Sequence, residues 1–474
     1  MAASVIATGW FPLLSINSLP SKNYNEGWNA YRQWMTLAHQ PLYGTHYPFW
    51  TTNYAFLSFH IIGLLGATKE NLVLTGRVVS FASLVAVAWL VGAMVRQATG
   101  SRAGALFAAL ALFAGLRAFS SEAGGVDDPE LLSAAFASLG IFAYLAAPRS
   151  RFWTALAAIA FCLSVFTKHD YIAFPFSVTA HLVWRQNWRG LATLMGVAAV
   201  MAGGLLGLSF HTDGRNTIAD LLQPRAYSFA NLVDETLHYL LHFAIPLGIG
   251  VLVLSLKREI AARGFLLILL LATNVAAIAF AGGDGVANNI FYPPIIADLL
   301  ACVIGICWLQ QRAHRVFSVA LLVATFGLAV PVPSRVDYDI QAMMRLPAAT
   351  MATRQAVGLL EASDGPAICE DLLLCFQAGK PLDYDPYYVK DQILIGHVRD
   401  ASVVALLNAH HYGAIQVSGA VQGTWQAGMH SRFTQAFEQS LLATYRPILI
   451  GPFYVVLGPS NNPLVQRNPK PDPG

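Results

Sequence analysis

Tyr24-Asn25-Glu26-Gly27-Trp28-Asn29-Ala30-Tyr31 follows the first apolar run of the chain and opens a polar, aromatic segment reaching to about Tyr54. A carboxylate set among Trp28, Tyr31, Trp34 and Tyr43, just beyond a membrane span, suits sugar chemistry at a lipid surface. Aromatic faces stack on sugar rings, and a carboxylate can take a hydroxyl proton. The plainer reading is an interfacial loop, because Trp and Tyr gather at membrane boundaries in any case. The flanking sequence bears on which applies.

What surrounds the stretch is membrane. The chain has 474 residues, 55% hydrophobic and 12% charged, with a mean hydropathy of +0.51. A soluble domain carries about 25% charge, so the composition excludes an ordinary soluble protein. A net charge of +3 points to no nucleic-acid partner, and none is expected. The first run, 5–16, lacks the basic flank of a cleavable signal peptide and is short for a span. Further apolar runs lie near 72–95, 103–119, 130–147, 152–166, 170–184, 190–209, 237–256, 264–281, 289–309 and 315–331. Most approach the roughly 20 residues that cross a bilayer. With the first run they predict an α-helical polytopic membrane protein of about 11 transmembrane helices, counted against that same length. Residues 54–66 are too short and polar to join them.

The connecting segments separate by charge. One set holds Arg96, Arg102, Arg149, Arg151, Arg185, Arg189, Lys257, Arg258, Arg263, Arg312 and Arg315, with Glu259 its only carboxylate. The positive-inside rule makes this set cytoplasmic. The alternate set, with Glu26, Glu122, Asp127, Asp128, the segment 168–170, 211–234 and 284–289, then faces outward.

After Val330 the composition changes. Pro331-Val332-Pro333 is expected to end the last span, and residues from about 337 read as a small α/β module placed outside by span parity. Helices are expected at 355–361, 371–378 and 403–411, and strands at 367–370 and 414–417. Runs 445–450 and 453–457, split by Gly451-Pro452, read as a hairpin. The expected domains are 1–333, with an acidic first outer loop at 17–71, then 334–460, then a disordered tail at 461–474. Cys162, Cys302 and Cys307 read as apolar filler. Cys369 and Cys375 lie where oxidation is possible, and spacing alone leaves their pairing open.

Candidate chemistry gathers on the outward set. In Gly124-Gly125-Val126-Asp127-Asp128-Pro129, Asp128 fits the N-cap of a helix opening at Pro129. Capping explains one aspartate but not both, nor the glycines that permit close approach. In Thr167-Lys168-His169-Asp170, a Lys–His pair at a helix start suits a phosphate; snorkelling of Lys168 is the alternative. Arg77 offers another cation, or a partner for a loop carboxylate. Asn289 and Tyr292 open a late span, and Asp298 lies within it, a functional candidate or the partner of a neighbouring Arg or Asn.

In this order the motifs resemble the C-type superfamily of integral-membrane glycosyltransferases, whose relatives include protein O-mannosyltransferases and the lipid A aminoarabinose transferase. The stretches that carry the resemblance are 24–31, 53–59, Gly76-Arg77, Asp127-Asp128-Pro129, Thr167-Lys168-His169 leading to Pro175, and 289–293. Two departures stand out: Asn25-Glu26 where many relatives have Asp-Glu, and Ala55-Phe56 where Pro-Pro is the pattern. The resemblance implies transfer of a sugar from a polyprenyl-phosphate donor to an envelope acceptor (lipid, glycan or protein) by inverting single displacement in the cell (inner) membrane. Glu26 would be the base, with Asp127 and Asp128 also catalytic. Lys168, His169 and Arg77 would hold the donor phosphate, and Trp28, Tyr31, Asn289 and Tyr292 the sugar or acceptor. No definite cofactor is implied; a divalent cation stays open. The competing readings are an O-antigen-type ligase or polymerase, and a transporter of envelope precursors. Against the transporter, the polar groups cluster on one face and no repeat is visible.

Overall fold

The computed structural model describes residues 1–44, 49–260, 262–419 and 432–461. The chain divides into two compact units. One comprises Met1–Ile16, Tyr54–Asp213 and Tyr227–Gln341; the other Asn17–Asn53, Gly214–Ala226 and Ala342–Gly474. Residues 17–53 of the expected outer loop therefore cluster with the C-terminal residues. Most of the expected tail, 462–474, lies outside the described residues.

Helices occupy all the apolar runs. They are α1 (Ala2–Leu14), then α2 (Tyr24–Leu37) in the second unit, α3 (Leu57–Gly66), α4 (Leu72–Thr99) and α5 (Arg102–Phe119). Next come α6 (Glu130–Ala146), α7 (Arg151–Thr167), α8 (Ala173–Trp184) and α9 (Trp188–Thr212), with α10 (Thr217–Leu221) again in the second unit. The helical unit closes with α11 (Phe229–Leu256), α12 (Arg263–Ala281), α13 (Tyr292–Arg312), α14 (His314–Ala329) and the start of α15 (Val332–Glu361). Side chains at loop ends begin several of them. Ser101 accepts from the Gly104 amide, Asn187 from Gly190 and Ser228 from Asn231, each meeting an orphan donor.

Among the described residues seven helical segments are long and apolar enough to cross a membrane. The expected count of about 11 includes α1, α6 and α7, which are apolar but shorter, and α8, of 12 residues. The fold is thus a polytopic α-helical membrane fold with a small C-terminal β-sheet domain. Pro331-Val332-Pro333 does not end the helical path as expected: α15 resumes at Val332 and runs to Glu361. Proline is tolerated in a first helical turn, where its missing N–H has no partner to lose.

At the centre of the helical unit stands α13, its apolar stretch wholly buried and packed against α4, α5, α11, α12 and α14. Asp298 in this helix meets the Tyr239 hydroxyl and the Asn274 amide at 3.3 Å, so its partners are structural, an Asn and a Tyr. Arg117 is buried and fully used. Its guanidinium donates to the carbonyls of Thr8, Ser121 and Ala123 at 3.0–3.1 Å and to Asp339 at 3.3 Å. Asp339 also pairs with Arg335. A buried charge is tolerable only when paired in this way.

The second unit holds a four-stranded sheet of order β1-β2-β4-β3. Strand β1 (Ala367–Cys369) is followed by α16 (Leu372–Gln377), α17 (Pro386–Leu394) and α18 (Asp400–Asn408), which lead to a parallel β2 (Ala414–Ser418). Then α19 (Gln435–Thr444) precedes the hairpin of β3 (Tyr445–Ile450) and β4 (Tyr454–Pro459), with β4 antiparallel to β2. Pro447 sits on β3, the edge strand, beside a register shift, where a missing donor is harmless. Cys369 and Cys375 form a disulfide, Cα–Cα 5.8 Å, joining β1 to α16.

Helix α2 packs on α16 so closely that a Cβ at Gly27 would overlap the backbone of Leu372 and Leu373. Backbone cannot swing aside as a side-chain tip can. Gly27→Ala should therefore destabilise this unit by about 1–3 kcal/mol, the usual range for overpacking. An unchanged thermal midpoint of the purified protein would show that the two helices can part without cost.

Candidate active site

Three loops on the acidic side of the helical unit bring their polar groups together. Helix α6 begins at Glu130, and the Asp128 carboxylate accepts from the Glu130 amide at 3.1 Å. Asp128 is not the expected N-cap: that position is Pro129, which has no capping side chain, and Asp128 meets the first helical amide from one residue earlier. Asp128, Glu122, Glu130, Ser80, Asn289 and Tyr292 line a cavity of about 10 Å³. This is the scale of one water, far below the roughly 300 Å³ of a small-ligand pocket. The cavity gathers charge; it does not enclose a sugar.

Lys168 does not snorkel. It is 5% exposed, and its ammonium pairs with Glu130, with the Tyr54 hydroxyl at 3.5 Å and Asp170 at 3.9 Å. The ammonium also lies 4.5 Å from the Tyr54 ring centre, close enough for a cation–π contact. Burial works to lower its pKa, but Tyr54, Asp170 and Asp128 more than offset this, so it lies above the ordinary lysine value. The group stays charged at neutral pH. His169 next to it is exposed.

Asp127 is fully buried, and its carboxylate lies against α4 where a Cβ at Gly76 would overlap it. The Gly-Arg pair of the motif is thereby explained locally: Gly76 makes room for Asp127. Arg77, 1% exposed, donates to the Ile16 carbonyl at 3.1 Å, which fixes the end of the segment leaving α1. Of the residues singled out in the sequence, Asp128, Asn289 and Tyr292 share the cavity, with Lys168 attached to it through Glu130. Glu130 and Tyr54 had no role in the sequence reading. Glu130 directly follows the quoted motif, and nothing local ties it to a lysine 38 positions on.

Glu26, Trp28 and Tyr31 belong to the second unit. Asn23 caps α2 by accepting from the Glu26 amide at 3.3 Å, and the Glu26 carboxylate accepts the Lys22 amide at 2.8 Å. This reciprocal pair resembles a capping box and holds the carboxylate in one place. The Arg32 guanidinium stacks 4.1 Å over Trp28. Tyr31 donates to the Lys380 carbonyl at 2.8 Å and meets Phe376 edge-on, so it is engaged within its own unit. Among the described residues no group of three or more His, Cys, Asp or Glu is arranged to hold a metal ion.

No protein-family model matches the chain. No curated protein matches it either. Among solved structures it is similar to ArnT from Cupriavidus metallidurans bound to undecaprenyl phosphate, with a TM-score of 0.60 and 15% identity over 99% of this chain and 99% of that one. It is also similar to AglB, an archaeal oligosaccharyltransferase from Archaeoglobus fulgidus in complex with an inhibitory peptide and a dolichol-phosphate. There the TM-score is 0.55 and the identity 11%, over 98% of this chain and 74% of that one. The chain therefore has the fold of these two structures.

Proposed function

We propose that the chain is a membrane glycosyltransferase that moves a sugar from a polyprenyl-phosphate donor to an envelope acceptor on the outer face of the inner membrane. The observation that carries this reading is the likeness, over 99% of both chains, to a structure holding undecaprenyl phosphate. The reaction needs little from the protein on the leaving side. A phosphate already leaves well, so cations suffice: Lys168 and Arg77, with His169 at the exposed edge. In this assignment the donor phosphate takes Lys168 over from Glu130. On the attacking side the acceptor hydroxyl gives its proton to Glu26 while its oxygen forms the bond to C1 and the C1–phosphate bond breaks. One displacement inverts C1. Asp127 and Asp128 orient the acceptor or sugar. Asn289 and Tyr292, which line the acidic cavity, and Trp28 and Tyr31 contact the sugar or acceptor in this assignment, and all four are buried without it, so donor or acceptor binding must open a space beside them.

Incubation of the purified protein with a panel of radiolabelled polyprenyl-phosphate sugars and an envelope extract tests the assignment. Label should pass to the extract with release of polyprenyl phosphate. No transfer from any donor, while the protein flips or exports the intact lipid, would turn the reading to a transporter.

The orientation proposed here reads eleven crossings with the basic loops inside and so carries the C-terminal unit to the outer face; the Cys369–Cys375 disulfide, at home in an oxidising compartment, supports it. The free cysteines are all buried, so introduced thiols report alone. In intact cells an impermeant thiol reagent should label Glu361→Cys and spare Arg258→Cys. The opposite pattern would reverse the orientation.

A further inference from the structure

At the basic end of the helical unit lies a second, far larger cavity, about 860 Å³. It opens where three helical hairpins turn: Arg149 between α6 and α7, Arg185 between α8 and α9, and Arg258 between α11 and α12 with Arg263 at the start of α12. Its volume falls in the range of small-ligand sites. Arg263 is used structurally, donating to the carbonyls of Leu254 and Ser255 at 2.5 and 3.5 Å. Arg149, Arg185 and Arg258 are exposed, and among the described residues no carboxylate pairs with them. The one carboxylate of the basic loops, Glu259, is taken by Arg312 at 2.7 Å and does not line the cavity.

Three uncompensated guanidiniums in one concavity repel each other and call for an anion. Apart from His181 and Asn187, the rest of the lining is mostly apolar or aromatic, with Leu182 and Phe265 buried and Trp184 packed against Gly264. Trp184 in the lining and Trp188 at the start of α9 are exposed, and exposed indoles gather at membrane boundaries. Guanidinium groups bind phosphate oxygens in pairs, which a mere surface charge does not. We propose that this cavity binds the phosphate headgroup of an anionic phospholipid from the leaflet opposite the acidic site, with the start of its acyl chains against the apolar wall. Basic pockets between transmembrane helices are suited to such headgroups. The site shares no residue with the proposed transfer chemistry.

Native mass spectrometry of the full-length protein in detergent, offered equal phosphatidylglycerol and phosphatidylcholine, tests this. The wild type should retain phosphatidylglycerol in preference, each of Arg149→Gln, Arg185→Gln and Arg258→Gln should weaken that preference about fivefold, and the three combined in one cavity triple variant should abolish it. The matched triple change Arg96→Gln, Arg102→Gln, Arg315→Gln removes equal charge from other basic loops and should leave it unchanged. Equal retention of both lipids, or equal loss in the cavity and matched variants, would overturn the site. An excess of inorganic phosphate that strips the lipid and itself protects the protein against heating would assign the cavity to a free anion and overturn the lipid assignment. The single substitutions carry the test if the cavity triple variant fails to fold, since each lies at an exposed position.

Discussion

Glu26→Gln should lower turnover by about 10²–10⁴-fold, the usual scale for a lost general base, and leave donor binding nearly intact. Glutamine keeps the length of the side chain and can still accept the Lys22 amide that holds Glu26 at the start of α2. The helix should therefore start as before, and only the ability to take a proton is removed. The informative comparison is with the aspartates. Asp128→Asn should cost at most about 0.5–1 kcal/mol of stability, because asparagine also accepts the Glu130 amide and caps well. Full activity in Glu26→Gln, with loss of activity in folded Asp127→Asn or Asp128→Asn, would exchange the roles. Activity in all three would remove these carboxylates from the chemistry.

Lys168→Ala is expected to act twice. It strands the Glu130 carboxylate, 2% exposed, beside Asp128 with no ammonium against it. Removing one partner of a buried pair costs about 3–5 kcal/mol. It also removes a charge-assisted contact to the donor phosphate, worth about 1.5–3 kcal/mol. The two effects separate in a double variant. Lys168→Ala with Glu130→Gln neutralises both sides, so the thermal midpoint should recover most of its loss while donor affinity does not. Recovery of donor affinity together with stability would make Lys168 a structural ion-pair partner and nothing more.

The membrane helices were legible because crossing a bilayer forces long apolar runs, and the loop charges alternate in a way that chance rarely produces. The C-terminal sheet was legible for a local reason: the strand pattern and Gly451-Pro452 sit within one hairpin, and Asp371 caps α16 where the sequence put a helix start. What stayed hidden is long-range. Arg117 reads as an odd charge at the end of an apolar run, yet its partner Asp339 lies 222 positions on. The pairing of Lys168 with Glu130 is likewise a product of packing α6 against α7 and the turn that follows it. Glu26 was legible as a residue of interest, but not its neighbours. Its helix rests on α16, more than 300 positions away, counting from Gly27 to Leu373.

That last contact has a bearing on biogenesis. The segment carrying Glu26 emerges from the ribosome early, yet the surface on which α2 rests is made only when the last part of the chain has been synthesised and moved across the bilayer. Until then α2, a 14-residue helix, is short enough to be marginal in isolation. Maturation of the outer segment must therefore wait until the residues through β4, Tyr454–Pro459, have been made. Chains stopped before the sheet is complete would insert their helices normally, yet present an unfinished first segment to the proteases that survey the membrane surface.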